Sequence, residues 1–192
     1  VDTCRLMRFF GHRVFVHPFF ENGKALHIKG YLGRLRQVVA RNVPRLLDLQ
    51  SRGYTLVAVE PSVALTYRDE YVLHGPPAAR DLRVQTLQEW LVSSMPGKGR
   101  RESGQNPGAA TLLPHCMESA GDPHLTEAWK PVFSHFGIDL AIEQVGCCGM
   151  AGIYGHESEH AGISRTIFDQ NWRPQIDRIE AETGRTVLAS GF

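Results

Sequence analysis

The order of elements along the chain restricts its fold more than any single residue does. Short apolar runs rich in β-branched residues stand at Leu56-Val57-Ala58-Val59, Ala110-Thr111-Leu112-Leu113 and Thr186-Val187-Leu188-Ala189, the pattern of buried strands. Arg13-Val14-Phe15-Val16 reads as a further strand, followed by a turn at Glu21-Asn22-Gly23-Lys24. From Tyr31 to Gln50, Leu32, Leu35, Val38, Val39, Leu46 and Leu47 recur at helical spacing,. Pro44 is expected to kink or divide that helix, and Gly53 stands where a C-cap belongs. In the second half a helix is expected from His124 to His135, ended by Gly137. A strand should follow over 138–145, then a glycine-rich turn over 146–152. A helix through Ile163, Ile167 and Phe168 comes next, and Pro174 should open a separate helical stretch to about Glu182.

Strand, helix, strand, glycine turn, helix, strand thus occurs twice, which argues for α/β units with parallel sheets. The expected architecture is two similar Rossmann-like α/β halves, residues 1–93 and 110–192, joined by a Pro/Gly-rich linker over 94–109. In the alignment of the halves, Leu56–Pro61 lies over Val187–Phe192 and Val1–Cys4 over Leu113–Cys116. From Cys116 to Cys147 is 31 positions but from Cys4 to Pro18 only 14. About one helix is therefore read as absent between Cys4 and Arg5. The start at Val1, without an initiator Met, reads as a segment of a longer protein.

A net charge of +1 gives no electrostatic footprint for nucleic acid. The run Lys98-Gly99-Arg100-Arg101 is short enough to be a solvated loop. No apolar run approaches the roughly 20 residues of a membrane-spanning helix. Four cysteines in 192 residues are too few for a disulfide scaffold. Two of them are adjacent and flanked by glycine, which points to metal or redox chemistry in a reducing compartment. The expected location is cytoplasmic, with association at the inner face of the membrane left open.

The topology would bring three of these cysteines together. Cys116 follows one expected strand and Cys147-Cys148 follow its neighbour, and ligands of doubly wound sheets sit beyond the carboxyl ends of strands. Thiolate sets select iron–sulfur, zinc or copper(I). Gly146, Gly149 and Gly152 would let backbone N–H groups approach an anionic group closely. Three ligands are one short of the four usual for an iron–sulfur cluster, and a fourth is expected just past Phe192. The bland alternative is a set of buried small hydrophobes, which is the reading for the isolated Cys4. A Cys147–Cys148 disulfide would need strained geometry.

The stretch Cys147-Cys148-Gly149-Met150-Ala151-Gly152, with a cysteine upstream, resembles the cysteine-rich CCG domain. That domain occurs in heterodisulfide reductase subunits and in glycolate, lactate and glycerol-3-phosphate oxidoreductases. Residues 22–33, 60–71, 146–156 and 164–168 resemble the C-terminal part of bacterial FAD-linked iron–sulfur 2-hydroxyacid dehydrogenases, of the D-2-hydroxyglutarate or D-lactate type. The resemblance implies a duplicated CCG domain, with a 4Fe–4S-type cluster held by Cys116, Cys147, Cys148 and a later cysteine. Two-site relatives carry a cysteine where Val63 stands, so the first half is expected to be a cluster-free copy. FAD and ferredoxin-like domains are implied upstream in the same chain, together with an electron acceptor; homo-oligomerisation is left open. The chain alone is then expected to be inactive, passing electrons for a larger enzyme. A structural or assembly domain with a zinc-bound or metal-free cysteine site is the alternative.

Other patterns have simpler readings. His156-Glu157-Ser158-Glu159-His160 matches the zinc-hydrolase pattern only if it lies on a helix, and it has no third ligand in view. His115 is either a support for the cysteine site or a loop residue; His12, His74 and His135 read as surface or helix-end groups. Arg68, Asp69 and Glu70 read as a solvated helix start. Gly149-Met150-Ala151-Gly152 lacks the spacing of a dinucleotide turn.

Overall fold

The computed structural model describes residues 2–95 and 108–191. The Lys98–Arg101 run and most of the expected linker, residues 96–107, lie outside the described residues. The chain divides into two compact units, Val1–Gly99 and Arg100–Phe192. Both are α/β with parallel strands.

The first unit is organised by one long helix. After α1 (Asp2–Phe9) and α2 (Lys24–Ile28), α3 runs from Leu32 to Ser51. Leu35, Val38, Val39, Asn42, Val43 and Leu46 form its buried stripe, the i, i+3, i+4, i+7 face that an amphipathic helix presents to a core. Pro44 does not divide it. Pro44 and Ala40, whose carbonyl loses its partner, are both on the exposed side, where water satisfies that group. Gly53, at φ 85°, ends the helix as expected, and the Tyr54 N–H returns to the Leu49 carbonyl at 3.2 Å,.

Strand β1 (Leu56–Ala58), α4 (Pro61–Arg68), α5 (Glu70–His74), a 3-10 turn (Pro77–Asp81), β2 (Val84–Thr86) and α6 (Leu87–Ser94) complete this unit. β1 and β2 pair in parallel, Leu56 opposite Val84. The core gathers Leu35, Val39, Val43 and Leu46 of α3 with Tyr67, Tyr71, Leu82 and Val84. Tyr71 is fully buried yet donates to the Asn22 carbonyl and accepts from Asn42 Nδ2, each at 2.9 Å.

Three expectations fail here. Residues 13–16 form no strand, and Phe15 and Val16 are exposed. A β-branched run without a neighbouring ladder has nowhere to place its N–H and C=O groups. Cys4 and Arg5 are consecutive residues of α1, so no helix is missing between them. The halves therefore differ in their strands: among the described residues the first has a two-stranded sheet and the second a three-stranded one. The expected solvated helix start is also wrong: Glu70 is buried, paired with Lys24 at 2.8 Å and near His27 at 3.3 Å.

The second unit contains β3 (Ala109–Leu113), α7 (Cys116–Gly121), α8 (Pro123–Glu127), α9 (Trp129–His135), β4 (Asp139–Ile142), α10 (Ala161–Thr183) and β5 (Thr186–Ala189). The parallel sheet has the order β4-β3-β5. Thr111 sits opposite Ala141 on one side and Val187 on the other. Ala110, Leu112 and Leu140 pack with Trp129, Phe133, Ile142 and Leu188. The helical region after β3 breaks into three pieces. Asp122 accepts from the His124 N–H at 3.0 Å and Pro123 takes the first position of α8, a start signal just ahead of the expected helix, which itself divides at Ala128 into α8 and α9. Gly137 closes α9 at φ 75°. Pro174 lies inside a continuous α10, again on its exposed side. Among the described residues no helix is long and apolar enough to cross a membrane.

Arg68 and Glu89 join α4 to α6 by an ion pair, and Arg68 Nε also donates to the Val84 carbonyl at 2.8 Å. Burial pushes the Glu89 carboxyl up, but Arg68 and the Thr86 N–H and hydroxyl outweigh it, and its pKa falls below the ordinary value. A depressed carboxyl contributes its full stability above the unfolded value of 4.5 and loses it as pH falls through the folded one,. Glu89→Gln should lower the urea midpoint at neutral pH. The gap from the parent should close progressively at acid pH below that value; a gap independent of pH would count against this ion pair.

Candidate cysteine site

The parallel register sends the ends of β3, β4 and β5 to one edge of the sheet. Cys116 opens α7 three residues beyond β3, Cys147 and Cys148 lie in the loop after β4, and Ser190 follows β5. A cavity of about 520 Å³ opens at this edge. Its wall includes Cys116, Cys148, Met150, Arg165, Phe168 and Trp172.

The expected cysteines are thus brought to one edge. Cys116 and Cys147 are exposed and Cys148 half-buried. Burial pushes the Cys116 thiol up, and the nearby Cys147 and Cys148 push it further the same way. The three thiols do not form a closed ligand set. Among the described residues no three His, Cys, Asp or Glu side chains are placed to hold a metal ion. Cys4 is half-buried in α1, in the other unit.

The loop carrying the cysteine pair is pressed onto α10. Trp172 Nε1 donates to the Gly146 carbonyl at 3.0 Å. A side chain at 146 would collide with Asn171, and one at 149 with the Ser164 carbonyl. Gly149 also has φ 90°, a conformation open to glycine and strained for other residues. Its N–H donates to Cys147 Sγ at 3.3 Å. Close packing on a helix thus supplies a reason for Gly146 and Gly149 that needs no cofactor; Gly152 contributes a left-handed turn at φ 70°.

Residues 149–160 do not continue directly into a helix, as the sequence pattern suggested. Two 3-10 turns, Tyr154–His156 and Ser158–His160, are separated by the extended Glu157. His156 and His160 therefore do not share a helical face. Instead His160 pairs with Glu157 at 3.0 Å and stacks on Tyr154 at 3.9 Å between ring centroids.

His115 caps α7, its Nδ1 accepting from the Met117 N–H at 3.1 Å. The sequence reading missed Glu118, which is fully buried, and Ser164, Asn171 and Trp172, which seat the loop. The His115–Glu118 spacing is that of a capping box, a signal obscured by histidine standing where serine or threonine is usual.

Over nearly its whole length the chain is similar to proteins named D-2-hydroxyglutarate dehydrogenase. It is 40% identical to that of Pseudomonas putida over 172 residues, covering 88% of this chain and 16% of the relative. The Haemophilus influenzae protein is 35% identical over all of the chain and 19% of its own length; that of Escherichia coli is 34% identical, covering 100% and 18%. The chain thus spans less than a fifth of the length of these relatives. No family model and no solved structure matches.

Gly149→Ala should destabilise the second unit by roughly 1–3 kcal/mol through strain and collision. Gly162→Ala, in α10 with nothing near its added carbon, should be neutral or stabilise by up to about 1 kcal/mol. Chemical denaturation of both variants checks the contrast, and equal effects would contradict the seating of the loop on α10.

Proposed function

We propose that this chain is an electron-transfer part of a larger FAD-dependent 2-hydroxyacid dehydrogenase of the D-2-hydroxyglutarate type, with an iron–sulfur cluster on Cys116, Cys147 and Cys148. The observation that carries the reading is the placement of three thiol-bearing residues beyond the carboxyl ends of adjacent parallel strands, two of them, Cys116 and Cys148, lining one cavity. The likeness to dehydrogenases about five times longer supports it. FAD and ferredoxin-like segments of the same protein and an electron acceptor are the partners this reading calls for.

The donor set suits the group in its chemistry, since soft thiolates favour iron–sulfur. It is one ligand short, and a later cysteine is expected to complete it. Bound there, a cluster would supply one-electron steps between a flavin that takes two electrons and the acceptor. The chain's own residues do the rest. Phe168, Trp172 and Met150 give the cavity an apolar wall, which limits water and so influences a reduction potential. The Gly149 N–H already donates to Cys147 Sγ, a contact that tunes thiolate ligands.

A second reading is a structural or assembly domain with a zinc-bound or metal-free cysteine site, and one observation favours its metal-free form. Among the described residues no metal-holding group of side chains is preassembled.

Protein purified without oxygen should contain iron and acid-labile sulfide in near-equal amounts, with a broad visible band bleached by dithionite. Cys147→Ser and Cys148→Ser should each abolish it and Cys4→Ser leave it intact. A full cluster retained in either of the first two variants would overturn the ligand assignment, and zinc alone, or no metal after attempted reconstitution, would favour the second reading.

A further inference from the structure

Glu118 is wholly buried, although an ionised carboxylate is costly to remove from water unless well paired. Its named partners are all donors. Ser190 Oγ donates to Oε2, the His115 N–H reaches the same oxygen at 3.3 Å, and Trp129 Nε1 lies 3.4 Å from Oε1. The His115 N–H also donates to Ser190 Oγ at 2.9 Å. A relay therefore runs from the backbone of the residue before Cys116, through the hydroxyl just past β5, into the carboxylate two residues after Cys116. These contacts join two strand ends, because His115 follows β3 and Ser190 follows β5. The cysteine pair lies on the other side, after β4.

The geometry points to Glu118 and Ser190 as positioning residues for the cysteine site: together they clasp the start of α7 to the end of β5 and so fix Cys116 at the edge where the loop carrying Cys147 and Cys148 also ends. Glu118 acts through the backbone at the start of α7, and Ser190 also lines the cavity. Glutamine cannot replace Glu118 in this role, because its amide would turn a donor toward one of the N–H or O–H donors around it. Threonine can replace Ser190, since it keeps the hydroxyl. The inference rests on the cysteine-site reading above for its purpose, but not for its geometry.

The test uses two readouts on protein prepared without oxygen. The first is the rate of iodoacetamide labelling at Cys116 relative to Cys4 after chelator treatment, followed by peptide mass analysis. Glu118→Gln and Ser190→Ala should raise that ratio several-fold, while Ser190→Thr restores the parent value. The second is the rate at which a chelator strips iron, expected to rise roughly tenfold in the first two variants, as is usual when a support of a metal ligand is lost. A ratio unchanged in both variants despite a lower melting temperature would make Glu118 an ordinary buried cap and overturn the inference. Ser190→Ala decides the matter if Glu118→Gln fails to fold. A parent protein that takes up no iron, with the labelling ratio still raised in Glu118→Gln and Ser190→Ala, would support the clasp while removing the iron–sulfur reading.

Discussion

The site depends on β3 lying in the middle of a parallel sheet. Parallel strands cannot be joined by tight turns; each return runs through a crossover, as with α7 to α9 and with α10,. Every strand then ends at the same edge, and the residues after β3, β4 and β5 meet there whatever their separation in sequence. Cys116, Cys147 and Ser190 span the second half of the chain, yet a shared edge needs only the register around Thr111 to bring them together. The buried apolar residues of the sheet hold that register, since a slip by one residue would turn Leu112 and Leu140 outward.

Within that frame the loop after β4 is shaped by contact with α10. Trp172, Asn171 and Ser164 press against it where Gly146 and Gly149 leave no room for a side chain. The glycines that seem, from sequence, to make space for a ligand are required first by a helix. Both demands act on the same backbone: a loop held tightly from behind presents its thiols in a defined place in front. The opposite wall is held by a different device, the buried Glu118 carboxylate and its donors. The two walls thus use close packing on one side and a polar network on the other.

Much of this was legible in the residues. Periodicity located α3, and Gly53 and Gly137 marked helix ends because a left-handed residue closes a helix at little cost when it is glycine,. The short β-branched runs located β1, β3 and β5. What misled was local chemistry read without its surroundings. Pro44 and Pro174 look like breaks, but a proline on the outer face of a long helix frees a carbonyl only to water. Residues 13–16 look like a strand, but they have no neighbour to pair with. The histidines at 156 and 160 look helical in spacing, but Glu157 between them is extended.

The sequence by itself determined the α/β class, the parallel alternation, and the kind of donor that could gather beyond the strand ends. These follow from periodicity and residue chemistry, which are local. Only the tertiary structure decided that the two units differ in their strands, that the cysteine loop is seated on α10, and that a carboxylate from α7 reaches the hydroxyl beyond β5. Those facts depend on which distant atoms come into contact: a collision at Gly149 and a donor shell around Glu118 exist only once residues dozens of positions apart have been packed together.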